Sequence, residues 1–328
     1  MTPTSLALAA TLFWTATPAQ AAPEWDWRFM GGASIDAAPH GVLDLGVRRD
    51  DVSLQLLTDT LDLRWAPESD RGRAWVAARA EYGAVGLLHS PWHAGAPAPE
   101  LGFGGAYVGG EGGALRYLPR GFYAGAAGFA YHTSFSERPA TAVDVPEATP
   151  WLGADLIGGW WSPHTHVWAR AGMQHDALGE VVQPHAHLVA TSAGTARFGH
   201  LAELRAGWAQ GQSVLTRTRV GGMNPYVVPV AGAGWAEWWA QTYAIARLGP
   251  RLALESGQST FTHAVVVDAG TVDDAWSDAT TVWGVGLLNR WDGEAWFVQT
   301  DLGWAGGVER ADGVSAWSGW LLFGRGWN

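Results

Sequence analysis

The sequence predicts an all-β chain closed as a transmembrane antiparallel up-and-down β-barrel of about 14 strands, with about 12 or 16 as the neighbouring counts. The first observation is the stretch from Ala233 to Leu248. Its odd positions, Ala233, Trp235, Glu237, Trp239, Gln241, Tyr243, Ile245 and Arg247, hold every charge, and its even positions hold none. Successive strand side chains point to opposite faces, so this strand has one wet face and one apolar face. It is longer than the usual soluble strand of about 5–6 residues, whereas a tilted strand of about 9–11 residues crosses a bilayer. The second observation is that short and long gaps between such stretches alternate along the chain. The third is composition: Trp 22 and Gly 44, high counts that fit a barrel with aromatic girdles at both membrane interfaces.

Residues 1–21 read as a signal peptide. Leu6 to Trp14 is a short apolar core, and Ala19-Gln20-Ala21 is a small-x-small cleavage signal before Ala22. Residues 22–39 read as a short irregular N-terminal segment, and 40–328 as the barrel. No other stretch is a continuous apolar run of spanning length, which excludes a helical membrane protein but not a barrel.

The candidate strands, in order, are 40–49, 52–65, 73–85, 101–118, 121–133, 150–162, 166–176, 185–194, 196–210, 233–248, 250–263, 280–291, 294–305 and 314–327. In 73–85, Arg73, Arg79 and Glu81 oppose Ala74, Val76, Ala78, Ala80 and Tyr82. In 166–176, His166, Trp168, Arg170 and Gln174 oppose Val167, Ala169, Ala171 and Met173. In 196–210, Glu203 and Arg205 oppose Ala202, Leu204, Ala206 and Trp208, and in 294–305 Gln299 and Asp301 oppose Trp296, Val298, Leu302 and Trp304. Tight turns are expected at 118–121, 162–165, 192–195, 248–251 and 291–294, and long gaps at 86–100, 134–149, 177–184, 211–232, 264–279 and 306–313. That alternation is the pattern of periplasmic turns and extracellular loops. Within 40–65 the parity slips near Leu57–Thr60, which predicts a β-bulge, and Gly109 to Gly113 fits a bulged strand or a turn.

The signal peptide, the alternating strands, the Trp-rich girdles and the C-terminal run Trp320-Leu321-Leu322-Phe323-Gly324-Arg325-Gly326-Trp327-Asn328 resemble a Gram-negative outer-membrane β-barrel protein. The resemblance implies an outer-membrane location. It also implies contact with outer-membrane lipids and lipopolysaccharide, and handling by the barrel-assembly machinery, which reads a terminal aromatic residue. Here Trp327 stands one residue early. A second resemblance is to BamA-like surface-antigen barrels, which carry a Gly-rich motif in a long extracellular loop followed by five strands. Val220-Gly221-Gly222-Met223-Asn224-Pro225-Tyr226 lies in the longest gap, with five candidate strands after it; the Arg-Gly-aromatic core of that motif is absent.

Several classes of chemistry are excluded or unsupported. The chain has no cysteine, hence no disulfide or thiolate metal site. A net charge of -11 excludes nucleic acid as the expected partner. His132-Thr133-Ser134 places a His and a Ser one strand period apart, which resembles the His-x-Ser pair of outer-membrane phospholipase A and lipid A deacylase. Pairing through the turn at 119–120 sets Tyr107 opposite His132, so no orienting acid is in view. His164-Thr165-His166 and His185-Ala186-His187 have a spacing that can put two imidazoles on one metal, and a hairpin near residue 180 would bring His175 to His185 and His187. Omptin-type proteases need an Asp-x-His, which is absent although Asp273-Asp274 is present. The sequence therefore assigns no catalytic, cofactor or metal residue.

What remains is the wet face. Arg79, Glu81, Arg170, Glu203, Arg205, Glu237, Gln241 and Asp301 are expected to line the lumen, with both signs interleaved. They either filter small solutes in a water-filled pore or pair with one another and close it. The sequence reading is a narrow porin-like channel for small polar solutes. The alternatives are a closed structural or adhesive barrel acting through its loops, and a lipid hydrolase using His132 and Ser134.

Overall fold

The computed structural model describes residues 26–35, 41–57, 60–82, 92–93, 96–98, 104–136, 144, 147–177, 182–194, 196–210, 218–222, 227–234, 237–274, 279–306 and 316–325. The signal peptide reading, Trp327 and Met223–Tyr226 lie outside them. Sixteen strands form the wall. They are β1 (Asp26–Ile35), β2 (Gly41–Arg49), β3 (Val52–Leu57), β4 (Thr60–Trp65), β5 (Gly72–Tyr82), β6 (Gly104–Tyr117), β7 (Phe122–Ser136) and β8 (Thr149–Trp161). The second half holds β9 (Thr165–Asp176), β10 (Val182–Ala193), β11 (Phe198–Ala209), β12 (Trp238–Ser256), β13 (Ser259–Asp274), β14 (Thr280–Asp292), β15 (Trp296–Gly306) and β16 (Ala316–Arg325). Each strand pairs antiparallel with its chain neighbour, and β16 returns to β1 from Phe29↔Arg325 to Ile35↔Gly319. Closure leaves no open edge, so every strand's backbone polar groups find partners without water.

The count exceeds the expected 14 by two, for two separate reasons. Residues 26–35, read as irregular, are β1; they pair with β2 from Asp26↔Arg48 to Ala33↔Gly41. The stretch 52–65 is not one bulged strand but the hairpin β3–β4, closed by Leu57↔Thr60. The extra first strand also explains Asp50–Asp51. With β1 in place, the β2–β3 link falls at the short-turn end with 118–121, 162–164, 257–258 and 293–295. Gly109 to Gly113 belongs to an unbroken β6 that keeps one register against β5 and β7.

A second correction concerns Pro250. The pair Gly249-Pro250 reads as a turn, yet β12 runs through it for 19 residues and turns only at Gly257-Gln258. Pro has no N–H to donate, and the ladder from β12 to β13 lapses at Gly249 and Pro250 before resuming in the same register at Arg251↔Ala264. The β13 strand therefore occupies 259–274 and runs on through 264–274, where a long gap was expected.

The wall is turned inside out relative to a soluble protein. Leu43, Leu45 and Val47 of β2, Leu54 and Leu56 of β3, and Val285 and Leu287 of β14 are exposed outward. Asp44, Asp62, Asp155, His185 and Asp268 are buried on the inner face. Apolar side chains can face outward only if the surrounding solvent is apolar, as a bilayer is. Exposed aromatics form two belts. Trp27, Trp65, Phe122, Trp161, Phe198 and Trp296 stand at the turn end, and Trp208, Trp283, Trp304 and Trp317 at the loop end. On β15, Trp296 and Trp304 lie eight residues apart, about 26 Å along the strand and roughly 20 Å in height at a tilt of about 40°, the scale of an apolar band about 25 Å tall.

Candidate functional site

The lumen holds a concavity lined by charged and aromatic side chains, and one segment of the chain fills part of the lumen. Residues 211–232 were expected to hang outside as the longest loop; the link between β11 and β12 in fact runs over 210–237. Its described part folds inward instead. A short strand, Thr218–Val220, pairs with Trp238–Ala240 of β12. The chain then doubles back through Gly221 N–H to the Val228 carbonyl (2.9 Å), Val228 N–H to the Arg219 carbonyl (2.9 Å) and Val230 N–H to the Gly222 carbonyl (3.0 Å). Ala233 and Glu237, read as the start of a strand, belong to this loop.

Apolar burial explains the inward fold. Val220, Val227, Val228, Val230, Ala231 and Ala233 are all 0 % exposed. Val220, Val228, Val230 and Ala233 form one cluster with Tyr243, Ile245, Val272 and Val282 of the wall. Ala231 packs on Trp320 and Leu322 of β16. Glycines on both sides permit the approach. A Cβ at Gly284 would stand 2.1 Å from the Ala231 carbonyl oxygen, and one at Gly232, whose φ is +81°, 2.1 Å from the Ala305 nitrogen. Only residues without side chains let the loop backbone lie against β14 and β15 in this way.

Polar contacts fix the loop at both flanks. Asp268, fully buried, accepts Arg247 Nε at 2.6 Å and Arg247 Nη2 at 2.7 Å, and the same carboxylate accepts the Ala231 N–H at 2.7 Å. Arg205 Nη1 donates to the Val227 carbonyl at 3.3 Å, and Glu237 accepts the Gly234 N–H at 2.8 Å. A bidentate guanidinium–carboxylate pair that also holds a backbone N–H satisfies three donors with two oxygens, in the dry environment where such bonds are strongest.

The opposite side of the lumen, from β4 to β10, receives no such loop among the described residues. Its wall carries charge in both signs. Asp62 pairs with Arg79 and with Arg64 (3.7 Å), and Arg64 also pairs with Glu111 (3.1 Å). Asp155 pairs with Arg170 and with His185 Nε2 (2.7 Å). Tyr131 donates to Gln174 at 2.6 Å, and Gln174 to Gln183 at 2.9 Å. A cleft open to solvent, with about 500 Å³ of empty space when that solvent is included, lies against this wall, lined by Asp62, Arg79, Tyr107, Glu111, Phe129, Tyr131, Arg170, Gln174 and His185 among others.

The eight residues expected on the wet face distribute as follows. Glu81, Glu237 and Asp301 are buried at 3–4 % exposure; Arg79, Arg170, Glu203 and Arg205 stand on the inner face. Gln241 sits, half-buried, at the register shift between Ala240 and Thr242. Arg79 and Arg170 meet at one cavity, and Glu203 and Arg205 pair with each other near the loop. The acids Asp62 and Asp155, which pair with Arg79 and Arg170, escaped the sequence reading, as did the pairs Arg64–Glu111 and Arg247–Asp268, whose acids stand on β6 and β13. Inner-face parity with Arg64 and Trp151 pointed to Asp62 and Asp155, but Asp268 was hidden in the supposed gap after Pro250.

Two histidine groupings are separated by the register. His175 faces Val182 and is exposed, whereas His185 faces Gly172 and His187 faces Arg170. His187 Nδ1 lies 3.2 Å from the Tyr243 hydroxyl, and His166 Nε2 lies 2.8 Å from that of Tyr123. Among the described residues no three His, Cys, Asp or Glu side chains are grouped to hold a metal ion. His132 faces Val108 rather than Tyr107 on β6, and Pro150 on β8, so neither neighbour in register supplies an acid or amide to orient it.

No family model matches the chain, and no curated protein matches it by sequence. Solved structures do. CdiB from Acinetobacter baumannii superposes with a TM-score of 0.65 at 13 % identity, covering 93 % of this chain and 60 % of that one. CdiB from Escherichia coli gives 0.63 at 11 % identity, covering 93 % and 64 %. BamA from Haemophilus ducreyi lacking POTRA domains 1–3 gives 0.60 at 9 % identity, covering 93 % and 71 %. The chain thus spans less than two thirds of either CdiB, and likeness at this identity speaks for the fold. In fold, the chain is a closed antiparallel β-barrel of sixteen strands, similar to these outer-membrane barrels.

Proposed function

We propose that the chain is an outer-membrane channel of narrow bore for small polar solutes, exported by a signal peptide over residues 1–21. In this reading, outer-membrane lipids and lipopolysaccharide surround it and the barrel-assembly machinery inserts it. The observation that carries the reading is the polar cavity against β4–β10, beside a lumen otherwise occupied by the chain's own loop. Side chains fill an eight-stranded barrel, while 16–18 strands leave room for water. The inward loop reduces that room to one side, where the wall carries paired Arg and acidic groups, a lining that passes polar solutes and rejects apolar ones.

Planar-bilayer recording of the refolded mature protein tests this. Small discrete steps that grow with salt are expected, and Arg79→Glu should shift selectivity toward cations. A heat-modifiable, correctly folded barrel that never conducts would overturn the reading. It would leave the closed structural barrel, which the inner ion pairs Arg79–Asp62 and Arg170–Asp155 favour.

A further inference from the structure

Four aromatic rings of the inner wall face strand glycines. Phe129 faces Gly153, Tyr123 faces Gly159, Tyr243 faces Gly207 and Trp75 faces Gly113. A Cβ on any of these four glycines would fall 2.2–2.4 Å from an atom of the facing ring. Each glycine therefore leaves the space that its facing ring occupies, the arrangement by which an aromatic neighbour covers a strand glycine. This accounts for part of the chain's high glycine content: the glycine is the seat and the ring is what it seats.

At the cavity these rings join. Tyr107 and Tyr131 lie 5.1 Å apart, Phe129 and Tyr131 6.0 Å apart at 21°, and Tyr131 and Trp151 6.4 Å apart at 23°. Phe129 is half-buried and lines the cavity, with the Arg170 guanidinium 5.9 Å from its centre. The charges around them are already matched. Arg79 is held by Asp62, Arg170 by Asp155, and Glu111 by Arg64. An ionised ligand would have to break one of these pairs and leave its partner uncompensated, which is strongly unfavourable. Hydrogen-bonding capacity nevertheless remains, since Arg79 Nε is buried without a partner.

Aromatic surface, matched charges and an unpartnered donor favour a neutral ligand with an apolar face and many hydroxyls. The negative face of an aromatic ring attracts the weakly positive C–H groups on one side of a pyranose, while the hydroxyls at its rim take the polar groups. We infer that the cavity between β4 and β10 is a binding site for a neutral saccharide, stacked on Phe129 and hydrogen-bonded at Arg79 and Gln174. The inference deepens the channel reading and rests on it for the sugar's access to the lumen.

Calorimetric titration of the detergent-refolded barrel tests it, with maltotriose, cellotriose and chitotriose as probes and triglycine as a zwitterion of comparable length. At least one trisaccharide should bind, and triglycine more weakly. Phe129→Leu keeps the apolar bulk but removes the ring face, and should weaken the bound sugar roughly tenfold; Phe129→Tyr should not. Binding of no trisaccharide, tighter binding of triglycine, or unchanged affinity in Phe129→Leu would overturn the assignment. If a variant fails the heat-modifiability check for folding, the wild-type panel alone decides. Sugar binding by a barrel silent in the bilayer would overturn the channel and keep the site; conduction without sugar binding would do the reverse.

Discussion

Between β11 and β16 the inner wall meets Val220, Val228, Val230 and Ala231 of the tucked loop, all fully buried. Between β4 and β10 it meets its own side chains, with Asp62, Arg79, Asp155, Arg170 and His185 tied in pairs beside a cavity. Both walls come from one alternating pattern, so the pattern alone does not decide what a lumen does. The loop decides it. Where the loop reaches, the wall offers Gly284, Tyr243, Val272 and Val282 as a seat, and one carboxylate, Asp268, to hold the loop's backbone. Where it does not reach, the wall neutralises its own charges beside the cleft.

The largest predicted effect breaks the seat. Asp268→Ala leaves Arg247 buried without its bidentate partner and frees the Ala231 N–H; a loss of about 3–5 kcal/mol is expected in urea unfolding of the barrel in lipid vesicles. Next comes the outer wall, which both halves share. Leu287→Arg, at the middle of β14, should cost about 2–4 kcal/mol in the same assay, because the new charge faces lipid. On the polar side, Asp155→Ala strands Arg170 and His185, but water from the cavity can reach them, so about 1–3 kcal/mol is expected. An Asp155→Ala loss equal to that of Asp268→Ala would dissolve the contrast between the halves. The smallest effect belongs to Arg49→Ala at the β2–β3 turn. Its partner Asp50 is 76 % exposed, and the unfolding midpoint should not move measurably.

The barrel class was legible because polarity alternates strongly where strands cross lipid. Arg79, Glu81, Glu203, Arg205 and Asp301 all declare their face by parity alone. The missed first strand, Asp-Trp-Arg-Phe-Met-Gly-Gly-Ala-Ser-Ile, alternates weakly: its centre Phe29-Met30-Gly31-Gly32 carries no charge, and Met30 packs toward the loop cluster. Pro250 misled because a Gly-Pro pair ordinarily marks a turn, and only the register shows that the ladder tolerates it there. The tucked loop left a signal that a reading by gaps passes over. A loop standing in water has no reason to carry Val227-Val228-Pro229-Val230-Ala231, and that apolar run marked a segment in search of a wall. The ion-pair partners and the glycine-facing rings are facts of register across strands, which no single strand's pattern contains.

The central claim is that the chain's own loop occupies one side of an otherwise passable lumen. The most direct test is single-channel conductance of the refolded protein beside a variant in which residues 218–234 are replaced by a short Gly-Ser link. A several-fold larger unitary conductance in the variant, with heat-modifiability retained, is the predicted result. Equal conductance in the two proteins would contradict the claim.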